Sequence, residues 1–148
     1  MKKLMCSGFL PVLLALSCMG QMQQSICPKH IETPTYSAIA RTAHVSGIVA
    51  LTLTIDADGN VSDVKVTNED ERFVKLLERS AVDNIRLWTF TKPQSAPFKQ
   101  NVTYDFQLDD KLPLAGVNNY PLVTLVTYDL PDRVTIRANS QVIDTVMH

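Results

Sequence analysis

The sequence carries almost no net charge, because its 14 Lys and Arg residues offset 15 Asp and Glu residues and leave a formal charge of −1. It therefore lacks the basic surface that neutralises nucleic-acid phosphates, and we expect no nucleic-acid partner. Glycine is also scarce, with five residues in a chain of 148, whereas 45% of the residues are hydrophobic. This composition predicts one globular domain with short extensions, large enough to bury a core without disulfide bonds.

The geometry of a calcium loop is missing from the one stretch that begins like such a loop, TIDADGNVSDVKVTN. Asp56, Asp58 and Asn60 place oxygen ligands at alternate positions, as an EF-hand requires. The same loop also needs glycine at its sixth position and glutamate at its twelfth, and here these positions hold Val61 and Thr67. We therefore expect no metal and no cofactor, and we interpret Asp58 with the glycine after it as a hairpin turn.

A catalytic constellation is also missing. His30 and His148 lie in segments that we expect to be poorly ordered, so His44 is the one histidine near predicted structure, and it has no cysteine or carboxylate at metal-ligand spacing. The sequence has neither a nucleophile elbow nor a paired-carboxylate signature. We predict that the protein is not an enzyme; a Ser-His-Asp arrangement assembled from distant residues is the alternative that the sequence leaves open.

Residues 1–20 have the layout of a secretory signal peptide. Lys2 and Lys3 precede the apolar run FLPVLLALSCM, and small or polar residues follow it. A membrane-spanning helix needs about 20 apolar residues, whereas this run is shorter and contains Pro11. We predict that this segment is a signal peptide and that the protein is exported to the periplasm.

Two processing routes remain open at the end of this segment. Cleavage after Gly20 would follow small residues, as a signal peptidase requires. The stretch ALSC resembles a bacterial lipobox, in which Cys18 becomes an acylated N-terminus and anchors a lipoprotein to a membrane. Either route leaves Cys27 as the one ordinary thiol of the mature chain, within residues 21–34, which we interpret as a linker. That thiol is inert, buried or paired between molecules.

The spacing of apolar residues predicts strands and helices in turn. We expect strands at residues 47–55, 63–67 and 99–108, with a tight turn between the first two. A short helix is expected within residues 35–43 and the main amphipathic helix at residues 71–88, with its apolar stripe facing the core. The residues of that stripe are Phe73, Leu76, Leu77, Ala81, Ile85 and Trp88.

The end of the chain predicts one or two further short strands, in VTLVTYDL (residues 123–130) and in RVTIRA after the turn at Pro131. Residues 141–148 are either a strand or a frayed end. The predicted fold class is α+β. It consists of a small antiparallel sheet of about three strands plus C-terminal additions, covered on one face by an amphipathic helix, with a short N-terminal helix.

A set of residues in a fixed order links these elements to a known family: Tyr36, Ala40, Arg41, Gly47, Asp58, Gly59, Val61, Val66, Ala81, Trp88 and Phe90. Their order and spacing resemble the TonB C-terminal domain family, the periplasmic end of bacterial energy transducers. Ser37, Thr89 and Pro93 depart from the family pattern, which indicates a divergent, standalone member. The resemblance implies a domain at residues 35–108, followed by a β-rich C-terminal extension at residues 109–148.

The resemblance also implies a binding mechanism. A TonB C-terminal domain captures an extended segment of an outer-membrane receptor on the edge of its sheet, where unpaired backbone groups serve as the template. We expect the strand at residues 99–108 to be that edge, with an outer-membrane receptor or another envelope protein as the partner and a lipid anchor as the one link to a membrane. The partner-binding residues would be Asn101, Val102, Thr103, Tyr104, Asp105, Phe106 and Gln107.

Two alternatives stay open. Residues 123–130 of the same chain could occupy that edge, because proteins usually cover exposed apolar edges. The sequence also shows neither the permanent membrane helix nor the long proline-rich segment of a complete transducer, so the domain could keep the binding function without the motor function. The alternative to receptor binding is a structural or adaptor role in the envelope.

Overall fold

The structure is a computed structural model that describes residues 26–68, 74–112 and 124–140. It has the α+β fold that the sequence predicts. Its described elements are β1 (Pro28–His30), α1 (Ala38–Thr42), β2 (Gly47–Ile55), β3 (Val61–Val66), α2 (Lys75–Ile85), β4 (Thr89–Phe90), β5 (Phe98–Leu108), β6 (Thr124–Asp129) and β7 (Arg133–Ala138).

The main sheet has five strands in the order β3-β2-β5-β7-β6, and β1 pairs with β4 in a separate two-stranded sheet. The pairs β3/β2, β2/β5 and β7/β6 are antiparallel, whereas β5 and β7 run parallel. The three antiparallel strands that the sequence predicts are therefore confirmed as β3, β2 and β5, and the C-terminal additions join them through the parallel pair of β5 and β7. Because β6 and β7 form a hairpin, only one of them can lie next to β5, and the strand that buries alternate apolar residues completely, β7, takes that inner place.

One hydrophobic core joins the sheet to the helices. Alternate residues of β2, β5 and β7 are buried on the same face of the sheet, and the buried residues of α2 belong to the same cluster. Burial of a large apolar side chain stabilises the fold by about 1.5–3 kcal/mol. The residues that form the centre of this core are Val49, Leu51, Leu53, Ile55, Leu77, Ala81, Ile85, Val102, Tyr104, Phe106, Val134 and Ile136.

The predicted helices are shorter in the structure than in the sequence interpretation. α2 begins at Lys75, and residues 69–73, including Phe73, lie outside the described residues. Most of the predicted stripe is buried, but Leu76 is 39% exposed and its assignment to the core is wrong. In α1, Ile39 is 69% exposed. Both residues stand next to a buried one, and one step along a helix rotates the side chain by about 100°.

The start of α1 is fixed by two local hydrogen bonds and one ring contact. Ser37 accepts the backbone N–H of Ala40 at the N-cap, and the Tyr36 hydroxyl donates to the Val45 carbonyl oxygen at 2.6 Å. The Tyr36 ring packs edge-on against Phe106, with ring centroids 5.3 Å apart. Burial raises the pKa of Tyr36 to about 12, so its hydroxyl remains a hydrogen-bond donor.

The turn between β2 and β3 is the hairpin that the sequence predicts. Gly59 has a φ of 90°, which a residue without Cβ adopts at little steric cost. The Asp56 carboxylate accepts the backbone N–H groups of Asp58 and Asn60, each at 2.9 Å, and the bond from Asn60 is the main cause of the lowered pKa of Asp56. These oxygens therefore stabilise a turn.

The linker interpretation of residues 21–34 is wrong from residue 26 onward. Ile26 is 2% exposed, and β1 pairs with β4. The carbonyl oxygen of Glu32 accepts hydrogen bonds from the Asn84 amide and the Trp88 indole. Polar groups on α2 and directly after it are thus hydrogen-bonded to the backbone of this segment. Residues 1–25 lie outside the described residues, and no helix within the described ranges is long and apolar enough to cross a membrane.

Candidate strand-docking edge

β5, the strand that the sequence predicts as the docking edge, lies inside the sheet. It pairs with β2 over residues 98–106 and with β7 over residues 103–108. Asn101 and Val102 precede the first residue that pairs with β7. The prediction of an open edge is wrong for the five residues that pair with β7, which are Thr103, Tyr104, Asp105, Phe106 and Gln107, and also for Val102, whose backbone groups face β2.

Two backbone hydrogen bonds fix which backbone groups of β5 point to which neighbouring strand. Thr103 N–H donates to the Asp132 carbonyl oxygen, and Asp109 N–H donates to the Ala138 carbonyl oxygen, both at 2.8 Å. Because backbone groups alternate in direction along a strand, the odd-numbered residues of β5 face β7 and the even-numbered ones face β2. The backbone groups of Val102 and Tyr104 therefore bond to β2 and are not free for a partner.

β7 closes the edge of β5 through buried apolar contacts. Val134, Ile136 and Ala138 are each 0% exposed, and they continue the core face of β5. The chain does cover its own edge, which was the alternative left open above. The covering strand is β7, whereas most of residues 123–130 form β6, one position further out.

Polar contacts lock the end of β7 in place. The Arg41 side chain on α1 is 2% exposed, and its Nε donates to the Asn139 carbonyl oxygen at 2.7 Å. The Asn139 amide donates to the Leu112 carbonyl oxygen at 2.8 Å. The Ser140 hydroxyl donates to Asp110 at 2.6 Å, and this bond is the main cause of the lowered pKa of Asp110. Displacement of β7 would break these hydrogen bonds between largely buried groups, which costs free energy.

The sheet then has two edges among the described residues, and β3 is the protected one. Asp63 and Lys65 place charges along it, and the register against β2 shifts between Thr54 and Ile55. A bridge between Asn60 and β4 obstructs its first end. Charges, irregular pairing and covering segments are the features by which proteins block unwanted strand pairing.

Within the described residues, β6 is the open edge. It pairs with β7 over six residues without a register shift, and in the described part of the chain no strand pairs with its outer side. It contains no proline, and its one charged residue, Asp129, stands at its end. None of the protective features of β3 is present within the strand.

The outward-facing groups of β6 follow from the same alternation. Even-numbered residues of β7 face β5, so its odd-numbered residues face β6 and are hydrogen-bonded to the odd-numbered residues of β6. The residues whose N–H and C=O groups point away from the sheet are therefore Thr124, Val126 and Tyr128. We name these three residues the β6 edge.

The side chains of the β6 edge lie on the core-facing side of the sheet and not on its solvent-exposed side. Val126 and Tyr128 are half-buried and pack against the core cluster, and the Tyr128 ring lies 6.1 Å from that of Trp88. Leu125 points to the opposite face and is 44% exposed. A strand added here would find an apolar surface on one side and a polar sheet face on the other.

The described residues hold no group of three or more His, Cys, Asp or Glu side chains that could bind a metal. His44 is exposed, has a φ of 54° and contacts the Thr42 carbonyl oxygen through Nδ1. Cys27 is exposed and has no disulfide partner within the described ranges. The chemistry that the structure offers is a row of backbone donors and acceptors, which suits a binding site.

The sequence predicts the strand β6 but not its place at the edge of the sheet. A usable signal was the charge pattern, since residues 124–128 carry no charge whereas β3 alternates charged and apolar residues. The fate of Cys18 and of the signal segment stays a prediction, because those residues lie outside the described ranges.

Comparison with known proteins identifies a family that matches part of this chain. Residues 32–108 match the family model described as Gram-negative bacterial TonB protein C-terminal. TonB proteins from two strains of Xanthomonas campestris pv. campestris are each 33% identical over 88 residues. The alignment covers 57% of this chain and 39% of each relative, so the chain spans about two-fifths of the length of these curated relatives.

A solved structure is similar over part of the chain. The solution NMR structure of the Pseudomonas aeruginosa TonB CTD aligns with a TM-score of 0.41 and 23% identity, covering 55% of this chain and 84% of that one. The family match ends at residue 108, so β6 and β7 lie beyond it.

Proposed function

The chain belongs to the family of Gram-negative bacterial TonB protein C-terminal domains, and from this premise we propose that it is a periplasmic protein-binding module linked to TonB-dependent transport. In this proposal it takes an extended segment of an outer-membrane receptor or another envelope protein as an additional strand of its sheet. The docking site is the β6 edge, because β7 already occupies the side of β5 that the resemblance pointed to.

The observation that carries this proposal is the outward direction of the backbone groups of Thr124, Val126 and Tyr128. Each residue offers one N–H donor and one C=O acceptor to a guest strand. Each backbone hydrogen bond contributes about 0.5–1.5 kcal/mol net, and selectivity comes from the pockets that receive alternate side chains. The half-buried Val126 and Tyr128 side chains favour a guest with apolar residues at alternate positions.

Export to the periplasm is the second part of the proposal. Lys2, Lys3 and the apolar run after them direct the protein to the periplasm, and Cys18 is the candidate for a lipid anchor. Mass spectrometry of the N-terminus of the protein from the envelope fraction tests this step. An uncleaved N-terminus contradicts export by this route, and an acylated Cys18 supports the lipoprotein route over cleavage after Gly20.

The binding experiment uses a matched pair of proline substitutions in the full chain. Val126→Pro removes an N–H that points away from the sheet, so the domain should fold and lose the guest strand. Val64→Pro makes the same change on the protected edge, because the backbone groups of Val64 point away from β2. Val126→Ala shortens the side chain and keeps the N–H.

The readout is the envelope protein recovered with each variant after cross-linking in cells, with circular dichroism as the check on folding. We expect recovery with the unmodified chain, with Val126→Ala and with Val64→Pro, and a loss of at least about tenfold with Val126→Pro, which corresponds to about 1.4 kcal/mol or more. Undiminished recovery with a folded Val126→Pro variant would contradict docking at the β6 edge.

A second candidate function is a structural or adaptor role in the envelope without receptor binding. The closure of β5 by β7 favours it, since that pairing removes the edge that the family resemblance implies for the receptor segment. In the experiment above, this role predicts that no outer-membrane receptor is recovered with any of the four proteins.

A further inference from the structure

A groove runs along the outer side of α2, apart from the β6 edge. One wall is α2 with the turn after it, the other is residues 32–37, and the volume between them is about 340 Å³. We name it the α2 groove. The carbonyl oxygen of Glu32 accepts hydrogen bonds from the Asn84 amide at 2.9 Å and from the Trp88 indole at 3.2 Å. These bonds tie the two walls together, so the groove is preformed and a ligand does not have to order it.

The helical wall is apolar at both ends. Leu76 and Leu87 line the groove and are 39% and 59% exposed. At the rise of an α-helix, the chain from position 76 to position 87 covers about 16 Å. Residues i and i+4 of an extended segment are about 13 Å apart and point to the same side. A five-residue extended segment therefore fits between the two leucines and places one apolar side chain against each of them.

The opposite wall suits a peptide backbone. Thr33, Thr35 and Ser37 line the groove, whereas Pro34 and Tyr36 between them are buried. Threonine hydroxyls both donate and accept hydrogen bonds. An extended segment carries backbone N–H and C=O groups that need such partners. A lipid chain has no use for these hydroxyls, so the wall favours a peptide.

The charge of the α2 groove selects among peptides. Glu32, Asp83 and Arg79 line it, so with histidine neutral its two carboxylates exceed its one guanidinium. Arg79 Nε lies 3.6 Å from Asp83 Oδ2, and His30 Nε2 lies 3.6 Å from Glu32 Oε2. Because Asp83 stands between the two leucines in sequence, a basic side chain at i+2 of the guest would meet the acidic part of the groove.

We propose that the α2 groove binds an extended segment of a partner protein with apolar residues at positions i and i+4 and Lys or Arg at position i+2. The residue at i+2 points to the same side as the two apolar ones. This site does not depend on the β6 edge. It gives the domain a second place at which an envelope protein can bind, through side chains rather than through strand pairing.

A defined peptide tests the proposal with the full chain. The probe is a fluorescein-labelled peptide with the sequence GLTKTLG, acetylated and amidated at its ends, and its binding is followed by fluorescence anisotropy. One control peptide has glutamate in place of the lysine, and the other has serine in place of both leucines. We expect the probe to bind at least about tenfold more tightly than the serine peptide. The advantage over the glutamate peptide should be at least about threefold, because exposed charges contribute less.

Matched variants locate the binding site. Leu87→Ser should weaken probe binding at least about tenfold, and Asp83→Asn should weaken it about threefold. Ile48→Ser is the control for the first change, because Ile48 is 45% exposed and lies on the opposite face of the sheet from the core. Asp63→Asn on β3 is the control for the second. Both controls and Val126→Pro should bind the probe like the parent, with circular dichroism as the check on folding.

Three results would overturn the proposal: equal binding of the three peptides, a folded Leu87→Ser variant that binds the probe like the parent, or a parent chain that the probe does not saturate. The last result is also the one expected if another segment of the same chain or a second copy fills the groove. Because Val126→Pro removes docking at the β6 edge and leaves the α2 groove unchanged, failure of this proposal is distinguishable from failure of the proposed function.

Discussion

The guanidinium of Arg41 donates a 2.7 Å hydrogen bond to the carbonyl oxygen of Asn139, across 98 positions of the sequence. Both residues are buried, at 2% and 3% exposure. Arg41 belongs to the family-matching part of the chain and Asn139 to the extension beyond it. This bond makes the extension an integral part of the fold. The proposed function therefore keeps β7 as a fixed strand of the sheet and places docking at β6.

Loss of the Arg41 contact should weaken the whole domain. Arg41→Met keeps most of the side-chain volume but leaves the Asn139 carbonyl oxygen without this donor, and we expect a loss of about 2–4 kcal/mol in the free energy of unfolding. Arg41→Lys keeps the charge and should cost less. Urea denaturation measures both, and an Arg41→Met variant as stable as the parent would contradict the integral role of the extension.

Asn84 links three parts of the core through one amide group. Its Oδ1 accepts the Tyr104 hydroxyl at 2.8 Å and the Trp88 indole at 3.1 Å, while its Nδ2 donates to the Glu32 carbonyl oxygen at 2.9 Å. Burial raises the pKa of Tyr104, so its hydroxyl stays protonated as a donor. Asn84→Ala should therefore cost about 2–4 kcal/mol of unfolding free energy.

Tyr104→Phe is the control for this network, because it removes one of the donors and leaves the amide in place. Its cost should be about 1 kcal/mol. Equal effects of the two substitutions in thermal or urea denaturation would show that the Asn84 amide does not connect the segments.

Gly59 should tolerate no side chain. Its φ of 90° is one that other residues rarely adopt, and a Cβ would meet the Phe90 carbonyl oxygen. The Gly59 carbonyl oxygen also accepts the Phe90 N–H at 2.7 Å. We expect Gly59→Ala to destabilise the domain by about 1–3 kcal/mol or more, whereas Gly47→Ala, whose Cβ would make ordinary contact with Val74, should cost less.

The contact between Asp110 and Ser140 should give the stability a defined pH dependence. The folded state lowers the pKa of Asp110 below its value of 3.8 in an unfolded chain. The stabilising contribution is therefore fully present above that unfolded pKa and is lost as the pH falls through the lower, folded one. Asp110→Asn and Ser140→Ala should both lower the melting temperature near neutral pH and approach the parent in acid. A constant difference at every pH would contradict this assignment.

Alternation of apolar residues carried enough information to predict β2, β3, β5 and the turn at Gly59. Each of these elements depends on neighbours in sequence, and the face of a strand follows from its own pattern. The order of the strands does not, because the same alternation fits β7 whether it lies beside β5 or at the outside. The family resemblance implied β5 as an open edge, with closure by residues 123–130 as the alternative, and the structure places β7 there.

The segment from Ile26 to Glu32 shows a second limit of prediction. It has no apolar period and contains proline, and such a sequence predicts a linker. Its order comes from distant residues, since the Trp88 indole and the Asn84 amide both donate to the Glu32 carbonyl oxygen. A backbone acceptor leaves no mark in the sequence, and only the tertiary contact reveals it.

Residue-resolved amide hydrogen exchange along β6, at a concentration where the chain is monomeric, tests the central claim most directly. The account predicts fast exchange for Val126 and Tyr128, slow exchange for Leu125 and Thr127, and protection of the first pair when an envelope partner binds. Slow exchange at all four residues in the free chain, or fast exchange at Val126 in the bound one, would contradict it.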